Sequence, residues 1–179
     1  EKDFIFICNE EHLKTTNMEQ ELRNITPTGK IINIAQHNLG PVWTVLEALK
    51  KEDFIEDDKP VIINYCDFGW WWNYENFKET LIKTQCDAAV TAYKGFYPHL
   101  LGPAVYASMR VDENNWMIES REKHSFTENK MDSFQQAGTF YFAKGVYIKK
   151  YFKEMIEKDL TVNGEYYISG TLTQVLKEA

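Results

Sequence analysis

Short, unbroken apolar runs alternating with helix-length amphipathic stretches constrain this chain more than any other feature. Asp3 to Cys8 reads Asp-Phe-Ile-Phe-Ile-Cys, and a run with no polar alternation suits a strand covered on both faces. Asn9 is a capping residue, and Glu10 and Glu11 complement the dipole of a helix running through Arg23 to the Pro27-Thr28-Gly29 turn. Lys30 to Ile34 is a second strand, Gly40-Pro41 opens a helix carrying Val42, Val45, Leu46 and Leu49, and a polar run follows from Lys50 to Lys59. Val61 to Tyr65 is the most β-like segment, and it stops at Cys66-Asp67-Phe68-Gly69 before a helix over Tyr74 to Thr84 and a strand over Asp87 to Ala92. Such alternation predicts an α/β sheet, mostly parallel and flanked by helices, with its ligand at the carboxyl ends of the strands.

The texture changes after Lys94. Gly95, Pro98, Gly102 and Pro103 make a long loop, and Tyr106 to Val111 and Trp116 to Ser120 form a hairpin about Asp112-Glu113-Asn114-Asn115. One more strand, Gln136 to Phe142, and helices over Tyr147 to Lys158 and Tyr166 to Lys177 complete a mixed, β-rich second half. No linker, repeat or low-complexity tract interrupts the order, so residues 1–179 read as one domain, expected to be part of a longer chain.

Composition narrows the function. A formal net charge of −7 argues against a nucleic-acid polymer as partner, because no basic stripe is present to hold phosphate backbones. A small anion bridged through a divalent cation stays compatible with that charge. Cys8, Cys66 and Cys86 lack CxxC spacing and fit reduced thiols of a cytoplasmic protein. No apolar run approaches the roughly 20 residues of a membrane span. Five Trp and ten Tyr exceed the needs of a core and point to rings lining a cleft.

Asp67 is the first candidate for chemistry, standing where a strongly apolar strand ends and a Gly-containing loop begins. A carboxylate there can hold a hard cation against a diphosphate, or cap the loop through backbone N–H groups. Glu122 and Lys123 follow a strand and are either site residues or a surface ion pair; Glu165 lies in a Gly-containing turn and is either a ligand or an acidic helix start. His12, His37, His99 and His124 have no zinc spacing, although His99 sits in a loop placed to overhang a substrate. Trp70-Trp71-Trp72 forms a stacking platform or a packed lid, with at least one ring meeting ligand or solvent. No GxSxG elbow, Ser-His-Asp order or P-loop appears.

Five segments resemble sugar nucleotidyltransferases in that family's order, from Asn33 to Leu176. Val61-Ile-Ile-Asn-Tyr-Cys-Asp67-Phe68 with its Trp-rich loop resembles the metal-binding strand end, and Gly40-Pro41-Val42 the base-recognition turn. Ser120-Arg-Glu122-Lys123 resembles the pair that meets sugar hydroxyls and a phosphate, Ala137-Gly138-Thr139-Phe-Tyr-Phe142 the strand beside the sugar, and Asn163-Gly164-Glu165-Tyr166-Tyr167 the segment that closes the site. The resemblance implies a Rossmann-like (GT-A-like) fold and Mg²⁺ or Mn²⁺ on Asp67 and Glu165, with Asp67 and Lys123 catalytic. It also implies Gly40, Pro41, Tyr65 and Cys66 at the nucleotide, and Glu122, Gly138, Thr139, Glu165 and Tyr166 at the acceptor. The substrates implied are a nucleoside triphosphate (CTP, UTP or dTTP) and a phosphorylated sugar or polyol, giving a nucleotide sugar for surface polysaccharide. Two departures stand out. The family's opening βα unit with its Gly-rich phosphate loop has no counterpart in residues 1–30, so either the domain is N-terminally truncated, which is the expectation, or this member lacks the loop; and the Trp triplet replaces mixed acidic and aromatic residues. A GT-A glycosyltransferase, which carries a second Asp where Gly69 stands here, and a non-catalytic nucleotide-sugar-binding domain are the rival readings.

Overall fold

The computed structural model describes residues 3–69 and 71–178, with side chains described through residue 174. Trp70 lies outside the described residues. In chain order the elements are β1 (Ile5–Asn9), α1 (Glu10–Thr15), α2 (Met18–Ile25), β2 (Lys30–Ile34), α3 (Pro41–Lys51), β3 (Val61–Asn64), α4 (Tyr74–Thr84), β4 (Ala88–Tyr93), β5 (Ser108–Val111), β6 (Met117–Arg121), β7 (Phe134–Phe142), α5 (Gly145–Glu157) and α6 (Ile168–Glu178).

The α/β class holds, but the sheet is not mostly parallel. Among the described residues β1 and β2 pair in parallel, whereas β3 and β4 each pair antiparallel with β7, β5 pairs antiparallel with β6, and β5 meets β7 through Ser108 and Met109. β3 and β4 therefore run the same way, as their βα units require, yet β7 returns between them. Its central residues Gln135 to Phe140 are buried, as suits a strand covered on both faces. Hydrophobic patterning records that burial but not which neighbour a late strand will choose.

The first predicted helix is two. Thr15 and Thr16 donate their hydroxyls to the Glu11 and His12 carbonyls at 2.7 and 2.6 Å, and Thr16 Oγ1 accepts from the Met18 N–H at 3.2 Å, so the Thr pair ends one helix and starts the next. The hairpin turn forms at Asp112, whose Oδ1 accepts from the N–H groups of Asn114 and Trp116 at 2.9 and 2.8 Å.

The main core lies where α3, α5 and α6 meet β7: Val42, Phe142, Ile148, Phe152 and Ile168 are fully buried, with Phe140 beside them. Each such side chain contributes roughly 1.5–3 kcal/mol by leaving water.

Between the two sheets runs a cleft of about 1120 Å³. The Lys30 N–H donates to the Phe4 carbonyl and the Tyr65 N–H to the Gly138 carbonyl. Since backbone groups alternate along a strand, those of Ile5 and Ile7 in β1, and of Ile62 and Asn64 in β3, point away from their paired neighbours. All four residues line the cleft, with Val45, Ile55, Val61 and Ile63 adding apolar wall. Two open hydrogen-bonding edges thus border one apolar slot.

Candidate active site

The loop leaving β3 carries Tyr65, Cys66 and Asp67, all of which line the cleft with Pro41 and Tyr167. Tyr65 is held from below: its ring packs on Phe140 at 5.5 Å between centroids, and its backbone N–H donates to the Gly138 carbonyl. Gly138 has φ +71°, and a Cβ there would lie 3.2 Å from the Tyr65 ring, so glycine is needed for both the turn of the chain and the ring beneath it. Burial pushes the Tyr65 hydroxyl well above its ordinary value, with the negative charges of Glu122 and Asp67 adding to the rise and a hydrogen bond from the Ile168 backbone opposing it. That single hydroxyl therefore senses β3's loop, the end of β6 and the start of α6 at once.

Glu122 and Lys123 follow β6. Burial raises the Glu122 carboxyl above its ordinary value, opposed by the Ser169 hydroxyl and by Lys123; Ser169, in the first turn of α6, donates to Glu122 Oε2. Lys123 adopts φ +50°, a left-handed conformation costing roughly 1–2 kcal/mol in a non-glycine residue, and its ammonium lies 5.0 Å above the centre of the Tyr167 ring. The Tyr167 hydroxyl is the main cause of a raised Lys123 value, with Glu165 and Glu122 contributing.

Glu165 is placed by the Asn163-Gly164 turn. Asn163 at φ +55° and Gly164 at φ +81° are closed by reciprocal Val162–Glu165 backbone bonds of 3.0 and 3.2 Å, a two-residue turn for which Asn-Gly is the favoured pair. Because α6 starts only at Ile168, Glu165 is not an acidic residue of its first turn. Its Oε2 accepts from the Tyr167 hydroxyl at 2.9 Å. Asp67 is exposed, and its carboxylate has no hydrogen-bond or ion-pair partner among the described residues, leaving oxygens of the kind a hard divalent cation prefers. No group of three or more His, Cys, Asp or Glu side chains is assembled for a metal among those residues.

Three expected residues face elsewhere. The Tyr166 hydroxyl donates to Asp159 Oδ1 at 2.8 Å and its ring stacks on Trp43. The Thr139 hydroxyl is buried and donates to Asn64. Gly40, at φ +86°, is pressed against the protein itself: a Cβ would lie 2.8 Å from both the N and O of Tyr166, in a junction where Tyr166 donates to Leu39 and Val42 to Tyr166. Its glycine is thus explained by the chain's own backbone. Tyr167 and Ser169 were not assigned roles from sequence. A Ser just inside a helix and a Tyr two residues beyond an acid are common, and only the meeting of α6 with β6 gives them partners.

Aromatic rings crowd one flank. Phe68 stacks near Tyr93 at 6.3 Å, and the Tyr93 hydroxyl meets His99 Nε2 at 3.0 Å; burial pushes Tyr93 up to about 12 and His99 below its ordinary value. Trp72 packs on Phe77 at 4.7 Å, whereas Trp71 is fully exposed.

No protein-family profile and no curated protein matches this sequence. Solved structures do. The nucleoside-diphosphate-sugar pyrophosphorylase of Vibrio cholerae RC9 superposes with a TM-score of 0.71 over 98% of this chain and 68% of its own, at 14% identity. A provisionally assigned glucose-1-phosphate thymidylyltransferase from Bacillus anthracis, in complex with sucrose, gives 0.65 over 98% and 64% at 17% identity. A UDP-glucose pyrophosphorylase complexed with UDP-glucose gives 0.64 over 98% and 71% at 16% identity. The backbone assembled above, from the open cleft to the Glu122–Lys123 corner, thus has the fold of the nucleotide-sugar pyrophosphorylases and spans about two thirds of the length of those structures.

Proposed function

We propose that this chain is the greater part of a sugar nucleotidyltransferase domain, joining the nucleotide of CTP, UTP or dTTP to a phosphorylated sugar or polyol with release of pyrophosphate. The observation that carries the reading is the convergence of Asp67, Glu122, Lys123 and Glu165 about Tyr65 and Tyr167 on this fold.

In the proposed reaction a phosphate oxygen of the acceptor attacks the α-phosphorus in line as the bond to the pyrophosphate leaving group breaks. Both reactants are polyanions, so positioning and charge neutralisation supply most of the catalysis. Lys123 faces the acceptor phosphate. Glu122, kept by Ser169 at the end of β6, accepts from acceptor hydroxyls, and the cleft wall of Pro41, Tyr65 and Cys66 takes the nucleotide. Asp67 and Glu165 would hold Mg²⁺ or Mn²⁺, whose chemistry is to neutralise the phosphates and polarise the reacting centre. No general base is needed, because the attacking phosphate is already ionised near neutral pH.

The cleft between β1 and β3 fits the rest of the domain. Its open edges at Ile5, Ile7, Ile62 and Asn64 and its apolar walls suit one further apolar strand, which we assign to polypeptide outside residues 1–179. Among the described residues no helix is long and apolar enough to cross a membrane, and we place the activity in the cytoplasm, supplying activated sugars for surface polysaccharide. The test is pyrophosphate release by the full-length protein from each triphosphate with a panel of sugar and polyol phosphates. Consumption of a nucleotide sugar instead would move the assignment to glycosyl transfer.

A further inference from the structure

Lys123 sits beside two carboxylates, Glu122 in the chain and Glu165 across the corner, yet it forms no ion pair among the described residues. One side chain separates the charges. The Tyr167 ring carries the Lys123 ammonium at 5.0 Å from its centre, while the hydroxyl of the same ring holds Glu165 Oε2 at 2.9 Å. Glu122 is occupied in turn by Ser169. An ammonium over an aromatic face is attracted without being neutralised, whereas a close carboxylate would cancel its charge toward an incoming anion.

We propose that Tyr167 is a positioning residue that keeps Lys123 unpaired for an anionic group of the acceptor, by supporting the ammonium on its ring and tethering Glu165 with its hydroxyl. The role of Lys123 as the phosphate-facing cation rests on the function proposed above; the separation of Lys123 from Glu165 does not. Removing only the hydroxyl keeps the ring under the ammonium, takes away the hydroxyl beside Lys123 and releases Glu165, which can then swing to Lys123. Removing the ring as well takes away both supports.

The experiment uses inorganic phosphate as the probe, titrated by ³¹P NMR into wild type, Lys123→Ala, Tyr167→Phe, Tyr167→Leu and the double variant Tyr167→Phe/Glu165→Gln, with circular dichroism confirming that each is folded. Tyr167→Phe should weaken phosphate binding three- to tenfold, Tyr167→Leu at least as much, and the double variant should recover to within about twofold of wild type, because a neutral amide can accept a hydrogen bond from the ammonium but cannot cancel its charge. A simple loss of packing predicts no such recovery. Unchanged binding in Tyr167→Phe, or a double variant as weak as the single one, overturns the proposal. If Lys123→Ala binds phosphate like wild type, the functional reading of Lys123 fails instead. A crystal structure of Tyr167→Phe then decides the separation on its own: a Lys123–Glu165 ion pair supports it, and the two groups remaining apart overturns it.

Discussion

Replacing Gly40 by alanine should destabilise the protein far more than the same change at Gly164, although both glycines have positive φ, +86° and +81°. At Gly164 nothing lies within 4 Å of an added Cβ, so the cost is the left-handed backbone alone, about 1 kcal/mol. At Gly40 the same strain is joined by contacts of 2.8 Å to the N and O of Tyr166 and 3.2 Å to Glu165 Cβ. Backbone atoms cannot rotate aside, so the overpacking adds roughly 1–3 kcal/mol, and losing either bond of the junction, Tyr166 N–H to Leu39 or Val42 N–H to Tyr166, adds about 1 kcal/mol more. The total, roughly 3–5 kcal/mol, is a large share of a typical stability of about 5–15 kcal/mol. In urea, with a slope of about 2 kcal/mol/M, the midpoint should fall by roughly 1.5–2.5 M for Gly40→Ala and by about 0.5 M for Gly164→Ala. Equal midpoints for the two variants would refute the claim that the Gly40 turn is clamped by Tyr166. Gly40→Val, for the same reason, reports on folding rather than on entry of a nucleobase.

Asp67→Ala should abolish nucleotidyl transfer in the full-length protein while leaving the stability within about 0.5 kcal/mol of wild type, since the side chain is exposed and without a hydrogen-bond or ion-pair partner among the described residues; wild-type turnover would remove it from the site. Lys123→Ala should raise the KM for the phosphorylated acceptor at least tenfold more than that for the triphosphate, and equal effects would place Lys123 away from the acceptor. Glu122 titrates above its ordinary value because of burial, so the folded state holds its proton more tightly than the unfolded one. Stability from this group is then fully present below the unfolded value and declines as pH rises toward the folded one. Glu122→Gln should flatten that decline in urea midpoints measured across the acid range, and an unaltered pH profile would contradict it. Residues 1–179 alone should release no measurable pyrophosphate, and robust turnover by this piece would show that the cleft needs no further strand.

How far the sequence carried the structure depended on range. The strand read over Val61 to Tyr65 forms as β3 over Val61–Asn64, and Asp67 stands just beyond its end because an apolar run followed by a Gly-containing loop leaves little alternative. Asn163-Gly164 likewise declared its turn, since two consecutive positive φ values call for those residue types. Pairings between distant segments were not legible. β7 carries the same apolar run whether it lies at an edge or between β3 and β4, and its position made most described pairings antiparallel. Gly40 announced that something must approach it, but only the folded chain shows the approach to be Tyr166. Tyr166 and Tyr167 are adjacent and identical in kind; that the first turns to Asp159 and Trp43 while the second turns to Lys123 and Glu165 follows from the start of α6 at Ile168.

The most direct measurement of the central claim is pyrophosphate release by the full-length protein, with CTP, UTP and dTTP each offered in the presence and absence of a panel of sugar and polyol phosphates. The account predicts release from one triphosphate that requires both a phosphorylated acceptor and a divalent cation, is stopped by a chelator and is lost in Asp67→Ala. Release that ignores the acceptor, or no release with any pair while a nucleotide sugar is consumed in its place, would contradict it.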